Sequence, residues 1–199
     1  MREIPVGLPS ELVPLSWLLG VWEGTGVIDY PIEGETVSRE FGHRVSFSHD
    51  GLPYLNYSSF AWLFDGDDDV PLTAESGFWR LDRPRENGDQ GPALLPGRGE
   101  QPYTTTENVE SLRRADDGFP IQASIVHPDG ASELYLGTIT GPRIDMSTDA
   151  IMSAPGGKPF SASTRMYGLV DGHLLWAWDI AAFGQELRSH ASARLAKVD

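Results

Sequence analysis

The chain predicts an all-β fold, and three observations carry that prediction. Short segments rich in aromatic and β-branched residues recur along it, separated by turn signals at a spacing of roughly 8–12 residues. Gly and Pro number 22 and 15 among 199 residues, which interrupts long helices and supplies turns. Nothing alternates strand with long helix, so a parallel α/β sheet is not expected. The pattern is that of a sandwich or an up-and-down barrel. The length suits one domain spanning residues 1–199, able to bury its own core.

Taken in order, residues 10–19 form the helical segment predicted near the start. Ser10 is its expected cap, Glu11 stands in the first turn, and Pro14 and Gly20 keep it short. Its apolar side, Leu12, Val13, Leu15, Leu18 and Leu19, suits closing one end of a barrel. Strands are predicted at 20–30, 39–49, 52–64, 73–81, 109–115, 120–127, 131–139, 143–152, 161–170, 173–182 and 186–197. In the first of these Val21, Glu23, Thr25 and Val27 share one face, and its interior glycines mark bending or close backbone approach. Asp50-Gly51 is a hairpin signal, and the acidic run at 65–69 reads as a loop. Residues 82–108, rich in Pro, Gly and charge, are too long for an ordinary hairpin and are expected as an inserted, exposed excursion.

Composition excludes several functions. There are no cysteines, so disulfides and thiolate metal sites are ruled out. A formal net charge of -14 leaves no basic face for nucleic acid or an anionic membrane. No apolar run approaches the ~20 residues that span a bilayer, and the first fifteen residues lack the apolar core of a signal peptide, so the expected location is the cytoplasm. No GxSxG, HExxH, P-loop or GxGxxG pattern occurs.

One motif reaches further. Residues 20–26, GVWEGTG, resemble the GxWxGxG signature of nitrobindins and related fatty-acid-binding-protein-like or lipocalin-like barrels. The resemblance continues in family order through Asp29-Tyr30-Pro31, Phe47-Ser48-His49, Gly51-Leu52-Pro53-Tyr54-Leu55 and Tyr57, then Pro71-Leu72 and Glu75-Ser76-Gly77-Phe78. It resumes at His127-Pro128-Asp129-Gly130 with Glu133 and Gly137, at Lys158, Arg165 and Tyr167, and at Gly184-Gln185 with Leu187 and His190. It implies a single antiparallel up-and-down barrel of about ten strands, with a short N-terminal helix closing one end. It also implies haem b at the barrel mouth, its iron held by one axial His, with binding of nitric oxide and isomerisation of peroxynitrite to nitrate. His190 matches the axial position, and Lys158 matches a basic position near the haem. In this reading no side chain is catalytic beyond the haem iron. Two departures concern the open haem face: Ile32 stands where Thr is frequent, and Thr73 where His is frequent.

The residues themselves allow plainer readings. Strict alternation puts His190 on the face of Arg188, Ser192 and Arg194, opposite the apolar Leu187, Ala191, Ala193 and Leu195, so an apolar lumen would turn it outward unless a bulge changes the parity. Lys158, after Gly156-Gly157, reads either as a solvated turn lysine or as a cation for a haem propionate or an anionic oxidant. Gly20, Trp22, Gly24 and Gly26 read as structural, the glycines for curvature and the indole to fill the barrel end. His43 and His49 share a face but lie about 20 Å apart along a strand, too far for one metal ion, and His127 and His173 fall in turns. The alternatives to the haem enzyme are a non-catalytic carrier of a hydrophobic small molecule in the lumen and an interaction module using the 82–108 loop. Whether the barrel is a monomer or a homodimer is left open.

Overall fold

The computed structural model describes residues 7–32, 35–66, 68–157, 160–182, 184 and 186–198. Ten strands follow one another: β1 (Gly20–Ile32), β2 (Glu35–Ser48), β3 (Leu55–Asp65), β4 (Asp68–Leu81), β5 (Phe119–Val126), β6 (Ser132–Thr140), β7 (Arg143–Met152), β8 (Phe160–Val170), β9 (His173–Ala182) and β10 (Arg188–Val198). Each pairs antiparallel with the next, and β10 returns to β1, so the sheet closes with no free edge. Closure selects the barrel over the sandwich that the spacing also allowed.

Alternation sorts the side chains. Trp22, Phe47, Trp79, Ile121, Tyr135 and Tyr167 are fully or almost fully buried inside. In β1 the predicted face of Val21, Glu23, Thr25 and Val27 is the outer one. Inward-facing Gly24 and Gly26 let β10 approach: a Cβ at Gly24 would lie 2.3 Å from the Arg194 carbonyl oxygen, and one at Gly26 2.2 Å from that of Ser192.

The helical segment is a 3-10 helix, Ser10–Leu18. Three residues per turn align Leu12, Leu15 and Leu18, all with no exposed surface, on one side facing the core. Trp22 Nε1 donates to the Leu18 carbonyl at 2.7 Å, tying the helix to β1. Ser10 does not cap it. Pro9 holds the cap position, and Ser10 Oγ donates instead to the Thr104 carbonyl at 2.7 Å.

Three further expectations are corrected. Residues 109–115 form no strand; Thr105 caps a short helix, α1 (Thr106–Glu110), its side chain accepting from the Asn108 amide. Glu110 and Arg113 then pair one turn apart, a helical spacing shared by Val109, Leu112 and Ala115. The acidic run at 65–69 is not all loop, because Asp65 ends β3, Asp68 and Asp69 begin β4, and the two strands stay paired out to Asp65 and Asp68. The Asp50-Gly51 turn is longer than a two-residue hairpin, since β3 begins only at Leu55.

Residues 82–108 lie over the 3-10 helix. Their tip is open, with Leu94 fully exposed, but their base is anchored. Arg83 is buried and donates at 2.7 Å to both carboxylate oxygens of Glu11 and to both of Asp89, and at 3.0 Å to the Pro84 carbonyl. Its guanidinium also covers the Tyr103 ring at 4.6 Å. A buried arginine flanked by two carboxylates leaves no uncompensated positive charge.

Candidate functional site

The strand order places the β1–β2, β3–β4, β5–β6, β7–β8 and β9–β10 connections at the barrel end away from the 3-10 helix. A cavity of about 50 Å³ opens there. Its apolar wall includes Ile28, Phe41, Leu72, Trp176, Trp178 and Ala191. Its polar groups include His43, Ser59, Thr73, Glu75, Arg165 and His190.

His190 reaches this cavity through a break in alternation. The β9–β10 register runs Ser189↔Asp179 and then Ala191↔Trp178, so His190 is the extra residue of a bulge. The bulge puts both His190 and the buried Ala191 on the cavity wall, which overturns the outward orientation expected from strict alternation. Leu72 enters the wall in the same way. Thr73 pairs with Ala61 and Pro71 with Trp62, leaving Leu72 bulged beside a proline that has no amide to donate. Ile32 ends β1, and its side chain lies outside the described residues. Lys158 also lies outside them. Gly20, Trp22, Gly24 and Gly26 lie along β1, with Gly20 and Trp22 at the helix-closed end, away from the mouth.

Three histidines stand in or beside the cavity, and their partners distinguish them. His43 Nδ1 accepts from Trp176 Nε1 at 3.0 Å; an indole nitrogen can only donate, so Nε2 carries the proton and donates to Ser59 Oγ at 2.7 Å. Burial lowers the His43 pKa to about 4, and both ring nitrogens are engaged. His127 pairs through Nε2 with Glu133 at 2.7 Å, and its Nδ1 lies 3.7 Å from Glu75. His190 Nδ1 lies 2.9 Å from the Asp29 carbonyl oxygen, which can only accept, so Nδ1 carries the proton. In the neutral ring Nε2 then holds the lone pair, and burial favours that neutral form by lowering the pKa.

Below the mouth lies a charged cluster. Arg165 is buried, forks onto Glu75 at 2.7 and 2.8 Å, donates to Tyr135 Oη at 2.9 Å and reaches Glu133 at 3.4 Å. Tyr57 donates to Glu75 at 2.6 Å; Tyr135 and Ser163 donate to Glu133 at 2.6 and 2.9 Å. Burial alone would raise the Glu75 pKa, but the Arg165 charge and hydrogen bonds, helped by His127 and Tyr57, lower it to about 2. Glu133 is lowered in the same way against burial, chiefly by His127. Burial opposes charge on His127, yet its bond to Glu133 and the nearby Glu75 raise its pKa. Two carboxylates thus face one guanidinium and one imidazole whose protonated form they favour.

The sequence reading assigned no role to Glu75, Glu133, Arg165 or Trp178. A signal for the first three was present. Each charge occupies an inward position of its strand, beside Trp79, Tyr135 and Tyr167 respectively, and a charge at a core position requires a partner.

The cavity fits haem on the chemistry of its donors: one neutral imidazole with a lone pair to give, fixed through its other nitrogen, beside a largely aromatic and aliphatic wall. Among the described residues no group of three or more His, Asp or Glu side chains is arranged to hold a bare metal ion.

Comparison with known proteins agrees. The model of the "THAP4-like, heme-binding beta-barrel domain" family matches residues 11–197. A peroxynitrite isomerase of Leifsonia xyli subsp. xyli is 62% identical over 199 residues, covering all of both chains. One from Clavibacter michiganensis subsp. michiganensis is 59% identical, also over both full lengths, and one from Kocuria rhizophila 50%, over 99% of this chain and 95% of that protein. The crystal structure of Rv2717c from M. tuberculosis superposes with a TM-score of 0.69 at 26% identity, over 96% of this chain and 99% of that one.

Proposed function

Because the chain belongs to the THAP4-like, heme-binding beta-barrel family, we propose that it holds haem b through His190, binds nitric oxide and isomerises peroxynitrite to nitrate. The observation that supports His190 is the partner pattern of the mouth histidines. His43 has spent both ring nitrogens and His127 faces carboxylates, whereas His190 has its proton fixed on a backbone carbonyl. Haem, when bound, supplies the redox-active iron at which the oxidant rearranges. The chain's own part is to bind and orient. The β10 bulge presents the imidazole, Asp29 fixes its tautomer, and the aromatic wall excludes water from one haem face. No side chain needs to act as acid or base. Lys158 is proposed as a cation for a propionate or for the anionic oxidant, the role that its family position implies. No described helix is long and apolar enough to cross a membrane; a cytoplasmic location is part of the proposal.

The test is a haem titration of purified apo-protein, wild type beside His190→Ala, followed by peroxynitrite decay and nitrate yield. A one-to-one Soret change that fails in the variant, with catalysed nitrate formation in the wild type alone, is expected. Equal binding by both proteins, or haem uptake without catalysis, would instead support the carrier of apolar ligands.

A further inference from the structure

His190 is held at its ring nitrogen by Asp29, but one hydrogen bond leaves the imidazole free to swing about it. The ring plane is set from the side. Trp178 meets His190 edge-on, with centroids 5.4 Å apart and planes at 78°. The register explains the meeting, since the residue opposite the bulge, paired with Ala191, is Trp178. The indole is itself clamped. The Arg165 guanidinium carbon lies 4.1 Å from its ring centroid, His127 stacks on it at 6.2 Å and 14°, and Phe160 closes edge-on at 6.5 Å. Trp178 Nε1 is buried with no hydrogen-bond partner among the described residues, so packing against these groups fixes the ring. Both Arg165 and His127 belong to the cluster anchored by Glu75 and Glu133.

Resting on the reading of His190 as iron ligand, we propose that Trp178 is a positioning residue for it. The indole sets the plane of the imidazole, and the Glu75–Arg165–Glu133–His127 cluster holds the indole from behind. The cluster thereby has a function at the mouth although none of its carboxylates needs to touch the ligand. Losing an outer group that orients a metal-binding histidine typically costs about 10–100-fold in affinity or activity.

Trp178→Leu keeps an apolar side chain but removes the ring, and Trp178→Phe restores an aromatic edge. Two readouts are used. In the apo-proteins, nitrogen-detected NMR of the histidine rings reports whether His190 keeps a single Nδ1-protonated tautomer. In the ferric holo-proteins, electron paramagnetic resonance reports axial-ligand order, and transfer to an apo-globin reports haem release. Trp178→Leu is expected to mix the tautomers, broaden the ferric signal and release haem about tenfold faster. Trp178→Phe should recover most of each. Wild-type tautomer, spectrum and release rate in Trp178→Leu would overturn the proposal while leaving His190 as ligand. An unchanged holo spectrum in His190→Ala, run in parallel, would remove both the ligand reading and this inference.

Discussion

The Nδ1 atom of His190 lies 2.9 Å from the carbonyl oxygen of Asp29, so an imidazole on the last strand is oriented by the backbone of the first. That contact exists because the barrel closes through the β1–β10 pair, in which Ile28 stands opposite Ala191. The pair is tight because of glycine.

Gly26→Ala tests this dependence. The new methyl would meet the Ser192 carbonyl at 2.2 Å and the Ala193 methyl at 2.6 Å, two residues from the bulge. Overpacking of this kind costs about 1–3 kcal/mol, and the strands must part to relieve it. The expected outcome is a lower unfolding midpoint together with weaker haem binding in a Soret titration; the same methyl at exposed Gly184 should cost only the strain of its positive φ and leave haem affinity unchanged.

Arg165→Leu should be among the most damaging single changes. It leaves Glu75 and Glu133 in the interior with His127 as their remaining basic partner, and breaking one partner of a buried pair costs about 3–5 kcal/mol. Urea denaturation should show that loss, and the NMR titration of Glu75 should move up from its value of about 2 as the stabilising cation disappears. Replacing Arg44, whose pair with Glu23 is solvent-exposed, should cost under about 1 kcal/mol.

Acid stability follows from the depressed carboxylates. The Glu75 pKa is lowered from 4.5 to about 2, so its contribution is complete above the unfolded value and is lost as pH falls through the folded one. On the linkage scale that shift is worth about 3 kcal/mol. Asp89, lowered from 3.8 to about 2 by its bonds to Arg83, adds to the same window. Thermal midpoints should therefore fall between pH 4.5 and about 2, and Glu75→Gln should flatten that fall.

Arg83→Ala should loosen the 82–108 segment without touching the mouth. It leaves Glu11 buried without its cation and Asp89 with only the longer Arg85 pair at 3.6 Å and the Glu86 amide, at a cost of about 3 kcal/mol. Hydrogen exchange should quicken over residues 83–104 and in the 3-10 helix, while the haem titration midpoint stays at the wild-type value.

What could be read along the chain was whatever depends on near neighbours. Most of each of the ten strands stood out by composition, though not the first residues of β2 and β4, and the outward face of β1 followed from alternation. Where near neighbours mislead, the reading failed. At 109–115 a strand was expected where a capped helix turn forms, and at 82–108 the exposed loop was legible but not its anchor on Glu11, which lies 72 residues away from Arg83. The site divides in the same manner. His190 was legible through its place in an ordered series of family landmarks, and Glu75, Glu133 and Arg165 could have been flagged as charges at inward positions. That Arg165 joins Glu75, 90 residues distant, was not legible.

The sequence by itself determined an acidic, cysteine-free, all-β chain, because composition and two-residue alternation are properties of the chain alone, whereas His190 as candidate iron ligand was implied only by the family resemblance. The tertiary structure decided that the sheet closes and that His190 faces inward. It also decided that His43 is spent on Trp176 and Ser59 while His190 is not. These depend on register between strands far apart in the chain. One extra residue in β10 reverses the face that alternation assigns, and only the pairing with β9 reveals where that residue lies.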